Sequence, residues 1–255
     1  MANPALNKYF GGTGSSATLD ASSSSVAMQS AIVPDDRMTI GGTAGATGLL
    51  LVILMISGAW GWSISSPTGA LPMWSIFVLI GAFVLAIITI FNPKMAIVTG
   101  PIYTAAQGLF LGSISKAYEA NWGGIVITAI LATVAVFIIM LVLFITRTIS
   151  VTDKLRSVII GATLGIALFY LASILFALFG VQMPFVWEGG IGGILFSVFV
   201  VGIAALNLLL DFDMIERGVA AGAPKYMNWY GAFGLMITII WLYLEILRLL
   251  GKTRS

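Results

Sequence analysis

AGATGLLLVILMISGAWGWSI, residues 44–64, carries no charged side chain from end to end. A run of about 20 apolar residues is what an α-helix needs to cross the ~30 Å hydrocarbon core of a bilayer. The stretch is not isolated: comparable runs occupy 73–91, 96–115, 124–146, 157–180, 190–212 with a polar extension, and 229–250. Short breaks rich in Pro, Gly or charge separate them: SSPTGALP at 65–72, NPK at 92–94, KAYEANW at 116–122, RTISVTDKLR at 147–156 and VQMPFVWEGG at 181–190. Composition agrees. Of 255 residues 59% are hydrophobic and 9% charged, with a mean hydropathy of +1.06, whereas about a quarter of a soluble domain is charged. The expectation is an all-α polytopic membrane protein, a bundle of seven transmembrane helices whose sequence neighbours run antiparallel.

Residues 1–43 are rich in Gly, Ser and Ala and lack an apolar stretch behind a basic start, so they are expected to form a disordered tail ahead of a transmembrane domain over 44–255. Trp60, Trp62, Trp74, Trp122, Trp187 and Trp229 fall near predicted span ends, where an interfacial belt places aromatics. With the N-terminus inside, the cytoplasmic segments hold eight Lys and Arg (Lys8, Arg37, Lys94, Arg147, Lys154, Arg156, Arg217 and Lys225) and the other side four (Lys116, Arg248, Lys252 and Arg254). That asymmetry predicts a cytoplasmic N-terminus. The three C-terminal charges run against it, so the side of the C-terminus stays open. Gly161 and Gly165 are expected to be helix packing positions.

Cysteine and histidine are absent, which removes disulfides, thiolate or imidazole metal ligands, and Cys or His catalysis. No metal site, cofactor or nucleic-acid partner is expected, and no enzymatic activity. A Ser/His protease at GSIS, 112–115, lacks a base, and an intramembrane aspartyl protease lacks its Gly-x-Gly-Asp segment. Proton chemistry falls to carboxylates.

Two acids lie well inside apolar runs, Asp211 in LNLLLDF and Glu245 in WLYLEILRLL. A charge at the centre of a span costs about 2.5–3.5 kcal/mol on insertion scales, so such groups face the bundle interior and serve a function by default. Asn207 sits one turn before Asp211 on the same face, while Asp213 is turned away and matches Arg217 at i+4. Glu245 has Arg248 at i+3, which admits a plain ion pair near the interface. Should Asp211 and Glu245 meet instead, the two carboxylates could not comfortably both ionise and would share a proton. Their depths constrain this. Pro224 marks a turn, the sixth helix is expected to continue to about Ala220, and the two acids match in depth only if residues 226–232 lie in the interface before the last helix dives. Gln107 is the central polar group of the third span.

PIYTAAQGLFLGSIS at 101–115, ALNLLLDFDMIERG at 204–217 and WLYLEILRLL at 241–250 resemble the Bax inhibitor-1 family, and GAPKYMNWYGAFGL at 222–235 resembles its bacterial members. The resemblance covers all seven helices. It implies a fold with the last helix near the bundle centre, a bacterial plasma-membrane location, and a proton-sensitive calcium leak gated by an aspartate dyad on the sixth and seventh helices. Asp211 sits at the first dyad position and Glu245 at the second, where LYLD is usual and this chain has LYLE. Bacterial members carry Glu-Gly in the third helix where this chain has Gln107-Gly108. The resemblance also implies an alternative: a non-conducting regulator that binds and restrains a membrane protease or a stress or cell-death partner.

Overall fold

The computed structural model describes residues 36–66, 71–180 and 190–254. The chain divides into Met1–Asp36 and Arg37–Ser255, and the described helices belong to the second part. Residues 1–35 of the expected tail, and Trp187, lie outside the described residues. Among the described residues there are seven α-helices: α1 Ile40–Ile64, α2 Met73–Phe91, α3 Ala96–Asn121, α4 Ile125–Ile145, α5 Asp153–Leu178, α6 Ile191–Ala220 and α7 Met227–Arg254, with a 3-10 turn at Pro93–Met95. All seven are long and apolar enough to cross a membrane. The protein is an all-α integral membrane protein.

Helix ends depart from the apolar runs where polar residues cap or continue a helix. Thr39 accepts a hydrogen bond from the Gly42 amide and starts α1 four residues before the apolar run does. Thr152 accepts from the Leu155 amide, so α5 takes in Asp153, Lys154 and Arg156, which the sequence pattern assigns to a break. α3 runs on through KAYEAN. Glu119 in that extension accepts from the Gly124 and Val126 amides and so satisfies the start of α4, while Gly124 supplies the positive φ of 78° that reverses the chain.

α7 is the axis of the bundle: 61% of its most apolar window is buried, against 17% for α2 and for α5. α1, α3, α4 and α6 surround it, α2 leans on α3, and α5 on α6. Contacts fix the directions. The Tyr103 ring meets Phe233 at 5.1 Å between centroids and the Ser115 and Tyr243 hydroxyls lie 2.6 Å apart, so α3 runs parallel to α7. α6 runs antiparallel, with Ile215 against Gly231 near the start of α7 and Ser197 bonded to Lys252 near its end. α7 therefore crosses in full, and its C-terminal end lies opposite the start of α1. At that start Asn228 accepts from the Thr39 amide and the Thr43 hydroxyl.

The closest helix approach is α1 on α3. A Cβ on Gly61 would overlap the backbone of Leu109, and one on Gly112 the carbonyl of Gly58. Lipid gives no hydrophobic drive to helix association, so small residues that admit backbone contact carry the packing. Gly161 and Gly165 do not serve this way: a Cβ at either has nothing within 4 Å. The side chains turned outward, Phe77, Phe83, Ile127, Leu131 and Leu168 among them, are exposed apolar groups that face lipid.

Candidate functional site: two acidic layers on the central helix

Asp211 lies in α6 on the face turned to α7. Its Oδ1 is 3.7 Å from where a Cβ on Gly234 would sit, and the Thr238 hydroxyl, one turn on, lies beside the carboxylate. The residue is half-buried, but Oδ2 is sealed from solvent and has no hydrogen-bond partner among the described residues. Two more buried side-chain atoms share that condition, Thr104 Oγ1 and Gln107 Oε1. Both belong to α3, where Tyr103 fixes the register against Phe233. Thr104 is the next residue and Gln107 one turn further along a parallel helix. All three unpartnered atoms therefore lie at the level of Gly234–Thr238 on α7. A buried polar atom without a partner costs about 1–3 kcal/mol, so three at one level mark a polar layer within an apolar bundle.

Glu245 is buried, 2% exposed, and fully engaged. The Arg248 guanidinium donates to both its oxygens at 3.0 and 3.1 Å, and the Tyr170 hydroxyl of α5 reaches them at 3.0 and 3.1 Å. Arg248 also donates to the Tyr170 oxygen at 2.6 Å and stacks over its ring at 4.9 Å from the centroid. This closed triangle ties the central helix to the peripheral α5.

The structure does not bring Asp211 and Glu245 together. Asp211 is level with Gly234–Thr238, and Glu245 lies seven to eleven residues further along α7, about 10–16 Å at 1.5 Å per residue. The reason is the start of α7. Residues 226–232 do not lie flat in the interface; the helix begins at Met227 and Asn228, Gly231 and Ala232 are already buried in the bundle. The difference in depth expected from the sequence therefore persists.

Of the other expected polar residues, Asn207 turns to α5, where its amide donates to the Thr163 hydroxyl at 2.8 Å, and it also donates to the carbonyl of Ile203 in its own helix at 2.8 Å. Asp213 holds Arg217 at 2.9 Å, as its i+4 spacing predicts, and also pairs with Arg156 of α5. Glu216 pairs with Arg147 in the α4–α5 turn, and that hydrogen bond and charge hold the guanidinium proton more tightly than usual. These pairs clamp the end of α6 to the turn below α4. Tyr170, Thr238, Thr104 and Arg156 were not legible as site residues, because single polar groups in apolar runs acquire partners only through tertiary register. Among the described residues no cluster of three or more His, Cys, Asp or Glu could hold a metal ion.

The fold and site define a seven-helix membrane protein whose central helix meets acidic groups at two levels. A family model described as Bax inhibitor 1 like matches residues 3–255, and the chain belongs to the Bax inhibitor-1 family. Comparisons with curated proteins and with solved structures find no match.

Proposed function

We propose that this protein is a passive, pH-sensitive leak for cations, calcium among them, in which Asp211 senses protons and Glu245 acts at a second level. The observation that carries the reading is the layer of unpartnered oxygens at Asp211, Thr104 and Gln107 at the level of Gly234–Thr238 on α7. Atoms of this kind are satisfied by water or by a passing cation. Calcium takes six to eight oxygen ligands. Unpartnered oxygens spread over α3 and α6 at one level make no tight site, which suits passage better than storage. No ion pair neutralises Asp211 among the described residues, so its ionisation places an uncompensated charge in the layer and its protonation removes it. Flux should therefore rise with pH as Asp211 loses its proton. The Glu245–Arg248–Tyr170 triangle is the second element: it fixes α7 to α5 beyond the polar layer and restrains the central helix.

Charge asymmetry and the family resemblance support a bacterial plasma-membrane protein with a cytoplasmic N-terminus. Calcium uptake into proteoliposomes, measured across pH for the native chain and for Asp211→Asn, tests the function. A pH-dependent flux that becomes pH-independent in the variant supports it. Absence of flux at every pH removes it and leaves a non-conducting protein that acts by binding a membrane partner.

A further inference from the structure

A cavity of about 440 Å³ lies between α1, α3, α4 and α7 in the half of the bundle nearest the C-terminal end of α7. It opens sideways, between Met55 of α1 and Val134 of α4, which are 68% and 49% exposed on the surface that faces lipid. It runs from Leu51 to Trp62 on α1. The eleven rises between these two residues span about 16 Å, close to one leaflet of a ~30 Å hydrocarbon core. Polar groups on its wall are already used: Ser115 and Tyr243 bond each other, and Thr133 donates to the Ala129 carbonyl. The slot is therefore lined almost wholly by apolar groups and accepts hydrocarbon.

Charge appears at one end. Lys116, one residue beyond the wall residue Ser115, is half-buried and donates to the carbonyl of Trp62, the last lining residue of α1, at 3.0 Å. It forms no ion pair among the described residues. Arg254 is bonded nearby to the Gly123 carbonyl, at the turn that follows α3. The acid in the neighbourhood, Glu119, is spent on the amides of Gly124 and Val126. An apolar slot one leaflet deep, open to the bilayer and topped by a cation bonded to the Trp62 carbonyl, has the chemistry of a phospholipid site.

We propose that this slot holds one acyl chain of an anionic glycerophospholipid, with the phosphate at Lys116. The site is separate from the polar layer and does not depend on whether the protein conducts. Native mass spectrometry of the full chain, released from detergent after titration with dioleoylphosphatidylglycerol or dioleoylphosphatidylcholine, tests it. The native chain should retain one phosphatidylglycerol in preference to phosphatidylcholine. Lys116→Gln should lower phosphatidylglycerol retention roughly fivefold, the worth of one basic residue at an anionic surface, leave phosphatidylcholine unchanged, and be rescued by Lys116→Arg. Ala59→Phe, on the slot wall, should reduce retention of both lipids, and Val134→Phe provides the same test from the other wall should the first variant fail to fold. Equal retention of the two lipids by the native chain, undiminished phosphatidylglycerol binding in Lys116→Gln, or a folded wall variant that keeps its lipid overturns the proposal. A native dimer that Ala59→Phe splits overturns it too, because the slot would then be a contact between two copies of the chain.

Discussion

Replacing Arg248 by Met removes the guanidinium that donates to both oxygens of the Glu245 carboxylate. The Glu245 side chain is 2% exposed and that of Arg248 23%, so the pair is largely withdrawn from solvent. Removing one member of such a pair typically costs about 3–5 kcal/mol, because the remaining charge is stranded. Here the Tyr170 hydroxyl still donates to Glu245, which places the expected loss at the lower end, about 3 kcal/mol. Removing both charges together should behave differently. Arg248→Met with Glu245→Leu leaves apolar groups of similar size in a lipid-embedded bundle and should recover part of that loss. Equilibrium unfolding in mixed micelles titrated with dodecyl sulfate, followed by tryptophan fluorescence, measures both. A single variant within 1 kcal/mol of native, or a double variant less stable than the single, would refute the reasoning, since either result means that the triangle is not a buried, mutually compensating unit.

Gly112→Val drives a side chain into the carbonyl of Gly58 and should lower stability by more than about 3 kcal/mol, beyond ordinary overpacking because backbone cannot give way, whereas Gly161→Ala and Gly165→Ala, with open space, should be neutral or slightly stabilising in the same titration. Asn228→Ala strips the acceptor shared by the Thr39 amide and the Thr43 hydroxyl and should cost about 1–2 kcal/mol, with faster amide exchange in the first turn of α1. Asp213→Asn breaks contacts to Arg156 and Arg217, whose side chains are 32% and 55% exposed; the expected loss of about 1 kcal/mol should shrink in 1 M salt, where partly exposed charges are screened.

The seven spans were legible because a bilayer imposes one length on every crossing and the apolar runs report it directly. Helix ends were less so: Thr152 and the KAYEAN extension extend helices with polar residues, and apolar length alone does not register them. The Asp213–Arg217 and Glu245–Arg248 pairs could be read from i+4 and i+3 spacing, since both members ride on one helix. The separation of Asp211 from Glu245 followed from a quantity that the sequence bounds without determining, namely where α7 enters the bundle. Buried Asn228, tied to Thr39 and Thr43, starts the helix deep, and the two acids consequently end at different levels. Tyr170 and Thr238 illustrate the remaining gap: each is an ordinary polar residue in an apolar run, and only the register between helices gives it a carboxylate to meet. Close packing likewise fell to Gly58, Gly61, Gly108 and Gly112 rather than to the equally well spaced Gly161 and Gly165, because spacing along one helix does not say which face meets a neighbour.

Control of cation passage along α7 by Asp211, in its layer of unpartnered oxygens, is the proposal on which the functional reading stands. Calcium flux into proteoliposomes as a function of pH, for the native chain beside Asp211→Asn, tests it most directly. Native flux should rise with pH, and flux through the variant should be low and flat. A native chain that conducts with a pH profile unchanged by Asp211→Asn, or that carries no calcium at any pH, contradicts it.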